Sequence, residues 1–243
     1  MITERDIAEK FSVIWKQNFP MLTSNFMRVF NEAQVKTINS IEIEPKDDVR
    51  YDLVSEFAFN LSEKETNGEI DINVLKNRDS IAQELVSNTA KDIWKSGNYT
   101  DRDLLLNEIE FEEAISIRKN ILEFIEKVKV NNFEFKPKLT GFGSVPDLVA
   151  DLSIDDSLFE IKTVNRTFRS SDLKQLFIYL ALKQASGETN WKYGGLYNPR
   201  KGVYCKFNIK GLTYNLSGGK SSNEAFENLL NSLTRDVQID SKF

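Results

Sequence analysis

The stretch GSVPDLVADLSIDDSLFEIKT, residues 143–163, constrains the fold more than any other part of the chain. It holds two apolar runs of strand length at hairpin distance, yet Asp147 opens the first and Glu160 and Lys162 interrupt the second. Burying a charge is expensive unless it is paired or coordinates a metal, so charges inside apolar runs mark a site. Residues two apart in a strand share a face, which places Glu160 and Lys162 side by side and sends Phe159 and Ile161 into the opposite layer. Pairing of the two strands predicts the Asp147 carboxylate beside that of Glu160. Two carboxylates completed by water and substrate oxygens suit Mg²⁺. A lysine next to such an ion can orient or help deprotonate an attacking water and stabilise charge developing on phosphorus.

What the chain lacks narrows the chemistry. It has no histidine and one cysteine, Cys205. That excludes Ser-His-Asp and Cys-His catalysis, histidine-bound zinc and cysteine clusters, and leaves carboxylates, lysine, tyrosine or an oxygen-bound metal. The net charge of −5 is unevenly spread: residues 1–128 hold 16 Lys/Arg against 25 Asp/Glu, whereas residues 129–220 hold 14 against 8. The basic block contains the candidate site, where a polyanion would be attracted. The longest apolar stretch, Leu176 to Leu182, is far short of a membrane span, and the N-terminal MITERDIAEK mixes both signs of charge. A cytoplasmic protein with no membrane association is expected.

Along the chain, IAEKFSVIWKQNF and LTSNFMRVFNEAQVKTI place apolar residues at helical spacing with Pro20 between them, and Tyr51–Leu61 and Ser80–Trp94 continue the pattern. The turn-rich segment Ser96–Thr100 suggests a boundary, giving an acidic helical region over residues 1–100 that docks a partner and a catalytic domain over 101–243. In the latter, a long amphipathic helix over 101–128 precedes three short strands, and a helix capped by Ser170 or Ser171 follows. YGGLYNP and VYCKFNI read as two further strands, and Ser221 with Glu224 opens a last helix. The fold class is α/β, a mixed central sheet flanked by helices.

Pro146-Asp147 followed by Glu160-Ile161-Lys162 resembles the signature of the PD-(D/E)xK nuclease superfamily. An acid two positions before a lysine occurs five times in the chain, but only the Glu160 instance sits in an apolar strand after such a preceding strand. Gln175 and Tyr179, four apart on one helix face, resemble the QxxxY motif of the exonuclease-like branch. The resemblance covers roughly residues 101–210 and implies a restriction-endonuclease-like core and a Mg²⁺- or Mn²⁺-dependent nuclease acting on DNA. It assigns Asp147 and Glu160 to the metal and Lys162, Gln175 and Tyr179 to positioning water, lysine or phosphate. A first-helix glutamate is also implied; among Glu108, Glu110, Glu112 and Glu113 the choice is Glu113, which leads into the more regular apolar stripe. The histidine and the four cysteines that some members carry are absent.

Arg166 and Arg169 after the catalytic strand, and Lys136 and Lys138 before it, are candidate phosphate contacts. Trp191, Tyr193 and Tyr197 sit at strand spacing, which favours core packing over base stacking. The chain has no GxxxxGK[ST] motif, so ATP-driven movement would need a partner such as an ATPase or helicase subunit. By the same resemblance the setting is restriction, phage defence, recombination or repair, with self-association open. The rival reading is a catalytically silent nuclease-fold module that binds nucleic acid or protein.

Overall fold

The strand-like and helical patterns from residue 129 onward assemble with the first helices of the chain into one compact unit. The computed structural model describes residues 4–77, 79–94, 100, 104–187 and 191–240. Residues 1–37, 129–198 and 203–243 form the first unit, and residues 38–128 with 199–202 form the second. Of the expected boundary at Ser96–Thr100, residues 96–99 lie outside the described residues, and the two units divide instead at 37/38 and 128/129 and around 199–202.

In the first unit, β1 (Lys36–Thr37), β2 (Phe133–Phe135), β5 (Leu152–Ile154), β6 (Ser157–Ile161), β7 (Tyr193–Asn198) and β8 (Val203–Asn208) form one sheet in the order β1-β8-β7-β6-β5-β2. Strands β3 (Lys138–Leu139) and β4 (Leu148–Val149) pair separately. Three strands were expected between residues 130 and 163, and five short ones form. The break comes at Lys136, whose φ of 54° is left-handed, and at Pro137, which has no N–H to donate to a ladder.

Among the described strands only β6 and β7 run parallel. A parallel pair needs a crossover, and α7 (Ser170–Ala185) supplies it. Its Leu173, Leu176, Phe177 and Leu180 are buried, because apolar residues occupy nearly every position from 176 to 182. The helix packs on β6, on α1 (Glu4–Lys10) and on α9 (Ser222–Asp240); α2 (Ser12–Asn18) and α8 (Ile209–Leu216) pack on α9 in turn, and α3 (Ser24–Gln34) meets β8 through Phe30. The first three helices belong here because their apolar faces close this core. The Phe19 ring packs at a tilt 4.9 Å from that of Phe177, and Phe30 stands edge-on 6.1 Å from Phe207.

The second unit is helical, with α4 (Tyr51–Thr66), α5 (Ser80–Ile93) and α6 (Glu108–Val128). The helix expected over 101–128 begins at Glu108, and residues 101–103 lie outside the described residues. Leu53, Phe57, Ile117, Ile121 and Phe124 are fully buried. Charged residues join them as pairs: Glu110 with Arg50 at 2.6 Å, Glu65 with Arg118, and Glu113 with Arg200 at 2.5 Å. No helix among the described residues is long and apolar enough to cross a membrane.

Candidate active site

The β5–β6 hairpin determines which carboxylates meet. Its two-residue turn, Asp155–Asp156, has Asp155 at a φ of 51°. The Asp155 carboxylate accepts the backbone N–H groups of Val130, Asn131 and Asn132 at 2.8–3.0 Å, which holds its pKa below the usual carboxylate range. From that turn the register runs Ile154 opposite Ser157, Ser153 opposite Leu158 and Leu152 opposite Phe159. One step further, Asp151 comes opposite Glu160. The break at Lys136–Pro137 grips this position from the other side: the Lys136 N–H donates to the Asp151 carbonyl at 2.9 Å, and the Ala150 N–H to the Pro137 carbonyl at 3.0 Å. The Asp151 carboxylate turns toward β6 and accepts the Ile161 N–H at 2.6 Å.

The carboxylate facing Glu160 is therefore Asp151, not the expected Asp147. Asp147 is exposed, four residues upstream, and its Oδ1 accepts the Gly141 N–H at 2.7 Å, closing a tight loop. A Cβ at Gly141 would stand 2.4 Å from the Val145 carbonyl, so glycine is required for that closure. A signal for Asp151 exists in the sequence. With a two-residue turn at Asp155–Asp156, partners carry numbers that sum to 311, which pairs 160 with 151.

Glu160 is 1% exposed. Its Oε1 lies 2.6 Å from the Lys162 ammonium, while its Oε2 is buried without a hydrogen-bond partner. Lys162 also donates to Gln175 Oε1 at 2.7 Å, and Gln175 Nε2 donates to the Tyr179 hydroxyl at 3.0 Å. The four-residue spacing on α7 stacks Gln175 and Tyr179 along one face, so Glu160, Lys162, Gln175 and Tyr179 form a continuous polar chain inside the apolar layer. Asn198 of β7 donates to the Val164 carbonyl at 2.7 Å, and the Lys162 N–H to the Tyr197 carbonyl at 2.8 Å, anchoring the chain end that carries Lys162.

Electrostatics follow from this crowding. Burial, reinforced by the charge of Asp151, pushes the Glu160 carboxyl up to about 8 despite the nearby ammonium. Burial likewise raises Asp151, against the pull of Lys162 and the Ile161 N–H. Burial acts to lower Lys162, but Glu160 and Asp151 more than offset it, so its pKa stands above the ordinary lysine value. Lys162 is thus a cation at neutral pH and suited to orientation and charge stabilisation. Tyr179 is raised by burial and by the charge of Glu160, which keeps the phenol protonated.

The remaining expected residues are distributed differently. Arg166 grips Asp172 of α7 with two N–H groups at 2.7 and 2.9 Å, and the Arg169 N–H donates to the same carboxylate at 2.8 Å. Asp172 is buried, and its charge bears on both Glu160 and Lys162, so Arg166 is tied into the site instead of extending as a phosphate arm. Arg169 and Lys138 are exposed, and Lys136 is half-buried. Asn31 of α3 clasps the loop between them, accepting the Phe168 N–H at 3.1 Å and donating to its carbonyl at 2.9 Å. The charge of Glu4 on α1 bears on Asp151 and Tyr179. Sequence reasoning missed Asp151, Asp172, Asn31 and Glu4. Glu113 lies in the second unit, where the Arg200 guanidinium occupies its Oε1.

Among the described residues no three His, Cys, Asp or Glu side chains group closely enough to hold a metal ion. Asp151 and Glu160 supply two carboxyl groups, and the Glu160 Oε2 is a buried oxygen without a hydrogen-bond partner, whose proton a bound cation would displace. Such an atom fits a hard divalent cation that keeps most of its own waters. Comparisons with family models, curated proteins and solved structures return no match for this chain.

Proposed function

We propose that the chain is a divalent-cation-dependent nuclease that hydrolyses DNA phosphodiester bonds, built on a restriction-endonuclease-like core. The observation that carries this reading is the Glu160–Lys162–Gln175–Tyr179 chain beside Asp151, with one buried carboxylate oxygen left over. Asp151 and Glu160 would hold Mg²⁺ or Mn²⁺. When bound, such an ion polarises the scissile phosphate and supplies a nucleophile at neutral pH. Lys162, held between Glu160 and Gln175, presents a fixed positive charge to the pentavalent phosphorus. Gln175 fixes the lysine through its amide oxygen, and Tyr179 fixes the amide in turn. Arg169 and Lys138 offer exposed positive charge for backbone phosphates.

The test is incubation with linear duplex, single-stranded and closed circular DNA in Mg²⁺ or Mn²⁺, with an EDTA control. Lys162→Ala should lower the cutting rate by about 10²-fold or more. Undiminished cutting by that variant would sink the assignment, and nicking of closed circles would identify endonuclease action.

A further inference from the structure

At the edge of the first unit where β6 begins, a cavity of about 490 Å³ opens between α7, α8 and α9. It shares no residue with the candidate active site. Leu180, Ile209 and Phe226, all buried, form its floor, and the Trp191 ring stands in its wall. Lys192 and Lys210 reach the rim from exposed positions. A third ammonium, that of Lys183, lies 5.2 Å from the centroid of the Trp191 ring. The other lining residues among those described are amides and a serine, and the Asp156 carboxylate stands outside the lining, 3.6 Å from the Lys192 ammonium in an exposed pair that a phosphate would have to displace. α8 and α9 both begin at this wall, so their first turns add partial positive charge.

We infer that this cavity binds a nucleotide, its base against Trp191 over the apolar floor and its phosphate between Lys192 and Lys210. The volume falls within the range of about 300–1,000 Å³ usual for small-molecule sites, and an apolar floor with a few convergent polar groups is their usual construction. An indole offers a stacking face to any base, and paired ammonium groups suit a phosphate as point charges. A free mononucleotide and the phosphorylated end of a nucleic-acid strand share this chemistry. The site is independent of the nuclease reading, since it uses neither Asp151 nor Glu160.

The experiment is calorimetric titration of the full chain in EDTA with adenosine and thymidine 5′-monophosphates, inorganic phosphate, and a 5′-phosphorylated tetranucleotide. Saturable nucleotide binding is expected. It should weaken about tenfold or more in the Lys192→Glu/Lys210→Glu variant, the loss expected for charged hydrogen bonds. Trp191→Leu should also weaken it by about tenfold, as for a stacked base. Thermal melting checks that each variant folds, and the exposed lysines make the charge variant the safer of the two. A tetranucleotide bound more tightly than either mononucleotide assigns the site to a strand end, and the reverse order to a free nucleotide. Absence of saturable binding by every probe would overturn the inference, as would inorganic phosphate binding as tightly as the nucleotides with no response to Trp191→Leu.

Discussion

Asp147 and Asp151 differ in what their oxygens already hold. Asp147 closes an exposed loop through Gly141, whereas Asp151 faces a buried carboxylate and a lysine. Asp147→Ala should therefore cost about 0.5–1.5 kcal/mol of stability, the net worth of one hydrogen bond, and leave metal-dependent cutting intact. Asp151→Asn should abolish cutting while leaving the melting temperature unchanged or raised, because it removes one of two crowded carboxylates. Parallel melting curves and cleavage rates decide between them. Glu160 adds a pH signature. Its pKa is raised on folding from 4.5 to about 8, so the folded chain holds a proton that the unfolded chain has lost over that window. The associated stability is complete below about pH 4.5, declines as pH rises, and is gone above about 8, with a slope of at most ~1.4 kcal/mol per pH unit. Denaturant melts in EDTA from pH 5 to 9 should show that decline in the parent and a flatter profile in Glu160→Gln. A decline of equal size in the variant would assign it to other groups.

At the scale of elements, the β5–β6 hairpin and α7 account for most of the candidate site, and both were readable to different depths. The four-residue spacing of Gln175 and Tyr179 fixes their shared face wherever a helix forms, so that pair emerged without tertiary information. The hairpin was readable as a hairpin, but its partner for Glu160 depended on the turn. Assigning the site by the Pro-Asp dipeptide instead of by turn arithmetic selected Asp147. Glu113 illustrates what remained hidden. Helical periodicity marks it as a glutamate leading an apolar stripe, and nothing local announces that Arg200, 87 positions later, will neutralise it. That pair is buried on both sides, with the guanidinium also 4.7 Å from the Tyr51 ring centroid. Glu113→Ala should cost about 3–5 kcal/mol, because it leaves Arg200 buried without that carboxylate. A melting curve unchanged in the variant would show that the pair contributes little, and a change confined to metal-dependent activity would restore Glu113 to the metal site.

Over the whole molecule the charge separates by unit. The first unit carries 19 Lys/Arg and 16 Asp/Glu, and the second 13 and 21. The net charge of −5 thus conceals a positive unit that contains the candidate site. Phosphate neutralisation makes affinity fall with salt, with a slope on logarithmic axes of about 0.9 per contact on duplex DNA. Replacing Lys138 and Arg169 together by Glu should flatten that slope by about 2 if both meet phosphates, a change readable by anisotropy between 50 and 200 mM salt. An unaltered slope would remove both from the contact surface. The division into units also has a history written into it, since the first unit is discontinuous and β1 at Lys36 pairs with β8 at Tyr204. The ribosome, adding about 5–20 residues per second, delivers the second strand roughly 8–35 s after the first. For that interval Trp15 on α2, Phe19 just after it and Phe30 on α3 have no β8 or α9 to cover them. The surface that closes this core is thus made last, and the earliest helices gain their cover only when the final third of the chain has been synthesised.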